Sequence, residues 1–233
     1  MKKILISILM MVSSGAYAKD LQCADSYKTF ESIEAESIKL LKSGSLEELK
    51  AHSDKYDLTY LSSDKHPGQR YFYGEWIDES EAEAGLAILA TMFRSEKMKH
   101  IQSIPLKPKA NFISSIGEIC VVPTKNQTVF LGETLKSNTD IIYVRKLENN
   151  QWYLYSFIGS ELKEDFEEFF PDFPKSIKLT PSSTRNGGRE VSSTEMSIKM
   201  LEALNIEVTP EMLNELKKKQ KEVEDRKKQN LLN

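Results

Sequence analysis

The chain has 233 residues, with 32 Lys and Arg against 35 Asp and Glu and a formal charge of −3 at pH 7. This acidic balance argues against a nucleic-acid partner, since phosphate binding needs clustered positive charge. The length accommodates one domain with a substantial core plus an appendage.

The first eighteen residues carry the three parts of a secretory signal. Lys2 and Lys3 are a positive start, Ile4 to Val12 is an apolar run broken only by Ser7, and Ala16-Tyr17-Ala18 is a small-x-small cleavage site. The run falls short of the roughly twenty apolar residues of a membrane span. The sequence therefore predicts a bacterial signal peptide over 1–18, a periplasmic or secreted protein, and no transmembrane anchor after cleavage. Cleavage would remove Lys2 and Lys3 and take the charge from −3 to −5. Gln22 is too large for the position before a lipidated cysteine, so Cys23 does not read as a lipoprotein anchor. Two cysteines then remain, Cys23 and Cys120, and an oxidising compartment favours one disulfide between them. Two buried free thiols are the alternative.

Main-domain elements are expected over 19–180. Ser26 to Ser43 reads as a helix with Tyr27, Phe30, Ile33, Ile38 and Leu41 on one face and Gly44 as its stop. Ser45 and Glu48 form a capping-box pattern for a second helix to about His52. Pro67-Gly68 marks a turn before the dense aromatics Tyr71, Phe72, Tyr73 and Trp76. Residues 78–95 read as a helix, with acidic residues in its first turn and Ala82, Leu86, Leu89, Ala90 and Phe93 on its buried face. Gly85 sits in mid-helix, where it suggests the close approach of another element.

From about residue 98 the pattern turns to strands, predicted at 116–122, 128–135, 141–147 and 151–158. Glu148-Asn149-Asn150 predicts a tight hairpin, because asparagine tolerates positive φ. Both faces of that hairpin carry large side chains, as in a central pair covered on one face and partly covered on the other. A short helix rich in phenylalanine follows and ends at Pro171. Residues 181–194 are rich in Ser, Thr, Gly and Pro and read as a flexible linker. A helical hairpin or tail over 195–229 follows, with a Ser192/Glu195 cap and a Pro210 start.

Helices first, then antiparallel strands ending in a hairpin that carries Trp152, is a pattern over about 24–160 that resembles the ketosteroid-isomerase-like cone superfamily. The resemblance implies an α+β fold with N-terminal helices packed on a curved antiparallel sheet, here with a linked C-terminal helical tail. Members serve as enzymes, binding modules and scaffolds, so no catalytic residue is carried over. A cystatin-like helix on a four-stranded sheet is the alternative fold.

No HExxH, GxSxG or P-loop pattern occurs, and none of His52, His66 and His100 has a partner at metal-ligand spacing. No catalytic, cofactor or metal residues are therefore assigned, and no cofactor is expected. Two sets of residues stand out. Tyr71, Tyr73, Trp76, His100 and Trp152 are pocket candidates. Met196, Met200, Leu204, Met212, Leu213 and Leu216 form an apolar tail face suited to a protein partner or a second copy of the chain. The expected function is an exported, non-enzymatic binding or accessory protein, of which an immunity or inhibitor protein is one form. The alternative is a small-molecule-binding cone protein or enzyme with its pocket near the aromatic cluster.

Overall fold

A computed structural model gives the architecture of residues 21–60, 65–72 and 74–232. The signal sequence and cleavage site expected over 1–18, and Tyr73, lie outside the described residues.

Helices α1 (Tyr27–Ser43) and α2 (Leu46–Tyr56) come first. A hairpin of β1 (Gln69–Phe72) and β2 (Glu75–Asp78) leads into α3 (Glu79–Arg94). The Ser45/Glu48 box forms as expected: the Ser45 hydroxyl accepts from Glu48 N at 3.1 Å and the Glu48 carboxylate from Ser45 N at 2.7 Å. α2 runs one turn further than expected, to Tyr56. α3 starts where its acidic first turn predicts, though Asp78 makes no side-chain cap. The element near Gly85 is β1: a Cβ there would meet the Phe72 ring at 3.4 Å, ordinary contact.

Five strands follow: β3 (Met98–Pro105), β4 (Ala110–Ser114), β5 (Gly117–Phe130), β6 (Glu133–Arg145) and β7 (Trp152–Phe157). Their centre is the long antiparallel pair β5–β6, in register from Glu118↔Arg145 to Phe130↔Glu133. β3 and β4 both pair with β5, and β7 pairs with β6. The expected strands at 116–122 and 128–135 are divided differently. The polar run Lys125-Asn126-Gln127 stays in the ladder, and the turn falls at Leu131-Gly132, both at positive φ. The predicted hairpin between β6 and β7 forms, with Asn150 at φ 58°.

Strand alternation sends two apolar sets to opposite faces of the sheet. Ile119, Val121, Ile142, Val144, Tyr155 and Phe157 face one way, toward Leu58, Tyr71 and Phe170. That face is closed by the β1–β2 hairpin and by α4 (Lys163–Phe169), whose Phe166 and Phe169 pack there. Cys120, Val122, Tyr143 and Trp152 face the other way, against Cys23, Phe30 and Ile33. Phe30 stacks on Tyr143 with centroids 3.7 Å apart, and Trp152 meets it edge-on at 5.0 Å. The Cys23–Cys120 disulfide is formed, joining the first described residues to the middle of the sheet across 97 positions.

The segment expected as a flexible linker is built into the fold instead. β8 (Ser183–Asn186) pairs with the free half of β6, and β9 (Arg189–Glu190) folds back on β8. The reason lies in β6, whose backbone groups at Leu135–Asn138 have no partner in β7 and receive β8. Gly187-Gly188, the two-residue loop between paired Asn186 and Arg189, with Gly187 at φ 59°, is the hairpin signal that the polar composition conceals. Helices α5 (Ser193–Ala203) and α6 (Pro210–Leu232) complete the chain. Ser192 caps α5 by accepting from Glu195 N, while the Glu195 carboxylate turns to Arg189 at 2.6 and 2.7 Å rather than completing a box.

Candidate functional site

The expected pocket residues do not gather in one place. Tyr71 (3 % exposed) and Trp76 belong to a packed aromatic group with Tyr155, Phe169 and Phe170. Trp76 donates its indole N–H to Asp165 at 3.0 Å, and its ring stacks on His66 at 3.9 Å. Trp152 lies on the opposite face of the sheet, under Phe30. Only His100 of the described members borders the cleft that follows.

The tail residues are divided as well. Met196, Met200 and Leu204 pack against Phe130, Leu135, Met92 and Val191 of the main body, so that part of the apolar face is already occupied. Leu213 borders a shallow groove of about 620 Å³ between α5 and α6, and Leu216 accepts the Thr194 hydroxyl at its carbonyl. Met212 is half-buried.

A cleft of about 360 Å³ opens between α1, α2 and the sheet. Strand periodicity builds its wall. Asn126 and Thr128 of β5, Ser137, Thr139, Ile141 and Tyr143 of β6, and Leu154 and Ser156 of β7 alternate onto one face. Glu34 and Ser37 come from α1, His52 and Ser53 from α2, and Asp57 from the residue that ends α2. The apolar end is made by Phe30, Ile141, Tyr143 and Leu154; the rest is hydroxyls, amides, two imidazoles and two carboxylates. No Lys or Arg lines it among the described residues.

Two carboxylates of this lining have an oxygen that accepts from no described residue, and one imidazole nitrogen makes no hydrogen bond. Asp57 Oδ1 accepts from Thr59 N at 2.9 Å and Thr59 Oγ1 at 2.7 Å, an Asx turn that fixes the carboxylate, while Oδ2 accepts no hydrogen bond from the described residues. Desolvation pushes the Asp57 carboxyl up to about 6, against the pull of the Thr59 bonds. Glu34 Oε1 is held by the Ser103 hydroxyl, which also lies 2.5 Å from Asn126 Oδ1, and Oε2 has no such partner. The buried Nε2 of His52 makes no hydrogen bond. Glu36 Oε2 stands 3.9 Å from that nitrogen, beyond hydrogen-bond reach. Burial lowers the pKa of His52 and of His100, so both are drawn toward the neutral form.

The remaining buried acids serve the frame. Glu118 accepts from Arg145 and from the Gln22 and Cys23 amides. Asp140 accepts from Lys109 Nζ and Thr180 N, both at 2.6 Å, and so ties the chain at 178–180 to β6. Glu161 accepts from the Ile158 and Gly159 amides, and burial raises its carboxyl pKa.

Sequence reasoning did not single out Glu34, His52 and Asp57. Asp57-Leu58-Thr59 is a readable Asx-turn pattern, but nothing in the sequence places it opposite α1. Among the described residues no three His, Cys, Asp or Glu side chains converge as a metal ion requires, and no helix is long and apolar enough to cross a membrane. No family model, curated protein or solved structure matches the chain.

Proposed function

We propose that this is an exported, non-enzymatic binding protein that holds a small molecule in the cleft between α1, α2 and the sheet. The observation that carries this reading is the cleft's lining: the carboxylates of Glu34 and Asp57 are each anchored through one oxygen, while the other oxygen accepts from no described residue. Ligand sites combine an apolar wall with a few fixed polar groups, as Phe30, Tyr143 and Leu154 do here beside those acceptors. A binding role is favoured over catalysis by the state of Ser103. Its hydroxyl is engaged by Glu34 and Asn126, which hold it inside the frame of the sheet edge rather than presenting it to the cleft. Export is supported by the signal sequence and the disulfide together. The cone-superfamily pattern is compatible with this role, since such folds host binding modules.

The test is an NMR screen of a small-molecule library against the isotope-labelled protein. Hits that shift the amides of Glu34, Ser53, Asp57 and Thr139 as a group support the reading. A library that produces no hits at those amides, or hits only on the α5–α6 groove, sinks it and returns attention to the tail as a partner surface.

A further inference from the structure

We propose that the open end of the sheet, on the face turned away from the cleft, docks on an anionic phospholipid bilayer. This surface is independent of the cleft, since the two lie on opposite faces. Strand alternation assigns those faces. Ile119 and Val121 of β5 and Ile142 and Val144 of β6 point into the core that α4 closes. β5 and β6 stay in unbroken register, so Lys125 and Gln127 of β5 and Lys136 and Asn138 of β6 continue that face past the end of the core. β3 adds Lys99 opposite Val129, Gln102 opposite Gln127 and Ile104 opposite Lys125. β8 adds Arg185 opposite Lys136. The residues that alternate with these, among them Asn126, Thr128, Ser137 and Thr139, line the cleft behind.

The first ground is charge. Lys99, Lys125, Lys136 and Arg185 are all exposed. With strands roughly 4.8 Å apart and same-face neighbours roughly 6.8 Å apart along each strand, they occupy a patch on the order of 15 Å across. Other cations near the sheet are matched: Lys109 by Asp140, Arg145 by Glu118, Arg189 by Glu195 and Lys199 by Glu133. These four form no ion pair with a described residue, and the acid nearest to them in register is Glu190, opposite Arg185. The chain as a whole carries a charge of −3. A cluster of unmatched cations on an acidic protein turns that face toward a negative surface.

The second ground is the hairpin tip beyond the patch. Leu131 and Gly132 form the two-residue turn between paired Phe130 and Glu133, with φ of 49° and 81°. Such turns ordinarily take Asn-Gly or Gly-Gly, because larger side chains are strained at positive φ. Leu131 bears that strain and is still 40 % exposed, so core packing does not account for it. Ile104, 44 % exposed, adds a second aliphatic group on the charged face itself. Cations beside exposed aliphatic groups are what a bilayer interface favours: headgroup phosphates receive the charges and the apolar groups enter the acyl boundary. An acidic protein face answers the cations but not the exposed leucine.

The experiment is co-sedimentation with vesicles of phosphatidylglycerol and phosphatidylcholine in equal parts, or of phosphatidylcholine alone. The protein used begins at Lys19, so that the apolar run at 4–12 does not contribute. One variant is Lys125→Thr/Lys136→Thr, which keeps strand-forming residues at exposed positions. A second is Leu131→Asn, which suits the turn better than leucine and so tests the tip without unfolding it. The control is Lys217→Gln/Lys218→Gln on the exposed side of α6. Binding is expected with the anionic vesicles only, and weaker at high salt. The Lys125/Lys136 pair is expected to weaken it about 25-fold, at about fivefold per lysine, and Leu131→Asn by at least about twofold. The α6 control is expected to match the unaltered protein. Loss in the lysine pair alone supports docking and removes the tip from it. Equal binding by all variants, loss confined to the α6 control, or no sedimentation with the anionic vesicles overturns the proposal. Binding to soluble polyglutamate without binding to vesicles overturns it too, and gives the face to an acidic protein.

Discussion

Glu118 and Arg145 face each other across the β5–β6 ladder and form an ion pair in which Glu118 is fully buried and Arg145 nearly so, with Nη2 to Oε2 at 2.5 Å and Nε to Oε2 at 2.7 Å. The other carboxylate oxygen of Glu118 accepts the amides of Gln22 and Cys23 at 2.8 and 3.0 Å. Arg145 in turn donates to Asn150 Oδ1 at 2.6 Å in the hairpin turn. One buried carboxylate thus joins the first described residues, the central strands and the turn after β6, beside the disulfide that does the same covalently.

Arg145→Met should destabilise the protein by about 3–5 kcal/mol, the cost of leaving one member of a buried pair without its counter-charge. Urea denaturation at pH 7 measures it. A change below about 1 kcal/mol, the scale of exposed pairs, would show that water reaches Glu118.

The disulfide acts mainly on the unfolded chain. Closing a loop of 97 positions should contribute up to about 4.7 kcal/mol in the chain-entropy model. The paired substitution Cys23→Ala/Cys120→Ala is expected to lose most of that in a urea titration, and its denaturant slope should rise because the unfolded chain expands. An unchanged midpoint would contradict a formed bond in the native protein.

Asp57 links stability to pH. Its carboxyl is raised from 3.8 to about 6 by desolvation. The native state therefore holds a proton that the unfolded state releases, so this group's contribution is fully present below about pH 4 and is lost as pH rises through 6. Asp57→Asn should be close to neutral at pH 4 and stabilising by about 1–2 kcal/mol at pH 7, less than the full shift implies because the group is only partly buried. Paired urea titrations at the two pH values check the sign. A variant destabilised equally at both would mean that the carboxylate is structural. Stability gained on removing a charged group, with binding lost, is the signature of a site residue.

Ending the chain at Pro181 removes β8, β9, α5 and α6 together. That uncovers Phe130, Leu135 and Met92, at about 1.5–3 kcal/mol for each large side chain exposed. The shortened protein should unfold at lower urea, and the β6 amides near Leu135–Asn138 should lose protection against hydrogen exchange. Equal stability and equal protection would restore the picture of a loosely linked tail.

Much of the frame was legible from local chemistry alone. The 3.6-residue spacing of Phe30, Ile33 and Leu41 set the buried face of α1, and Ser45 with Glu48 marked the start of α2, because helix periodicity and capping act within a few residues. Asn150 announced its turn through its tolerance of positive φ, and two cysteines had only one pairing to make. Each of these signals is short in range or has a single solution.

The site depended on contacts that no local signal encodes. Ser183–Asn186 became a strand because half of β6 lacked a neighbour, not because Ser, Thr and Arg prefer strands. Tyr71 and Trp152, alike as aromatics in the sequence, fell on opposite faces of the sheet through strand alternation and pairing. Glu34, His52 and Asp57 are separated along the chain by a helix end and a turn, and only the packing of α1 and α2 against β6 and β7 brings them to one cleft. The sequence by itself determined the turn after β6, which helix faces are buried and which two cysteines could pair. Which acceptors were left without donors was decided in the tertiary structure, because that depends on every neighbour a side chain meets once the chain is closed.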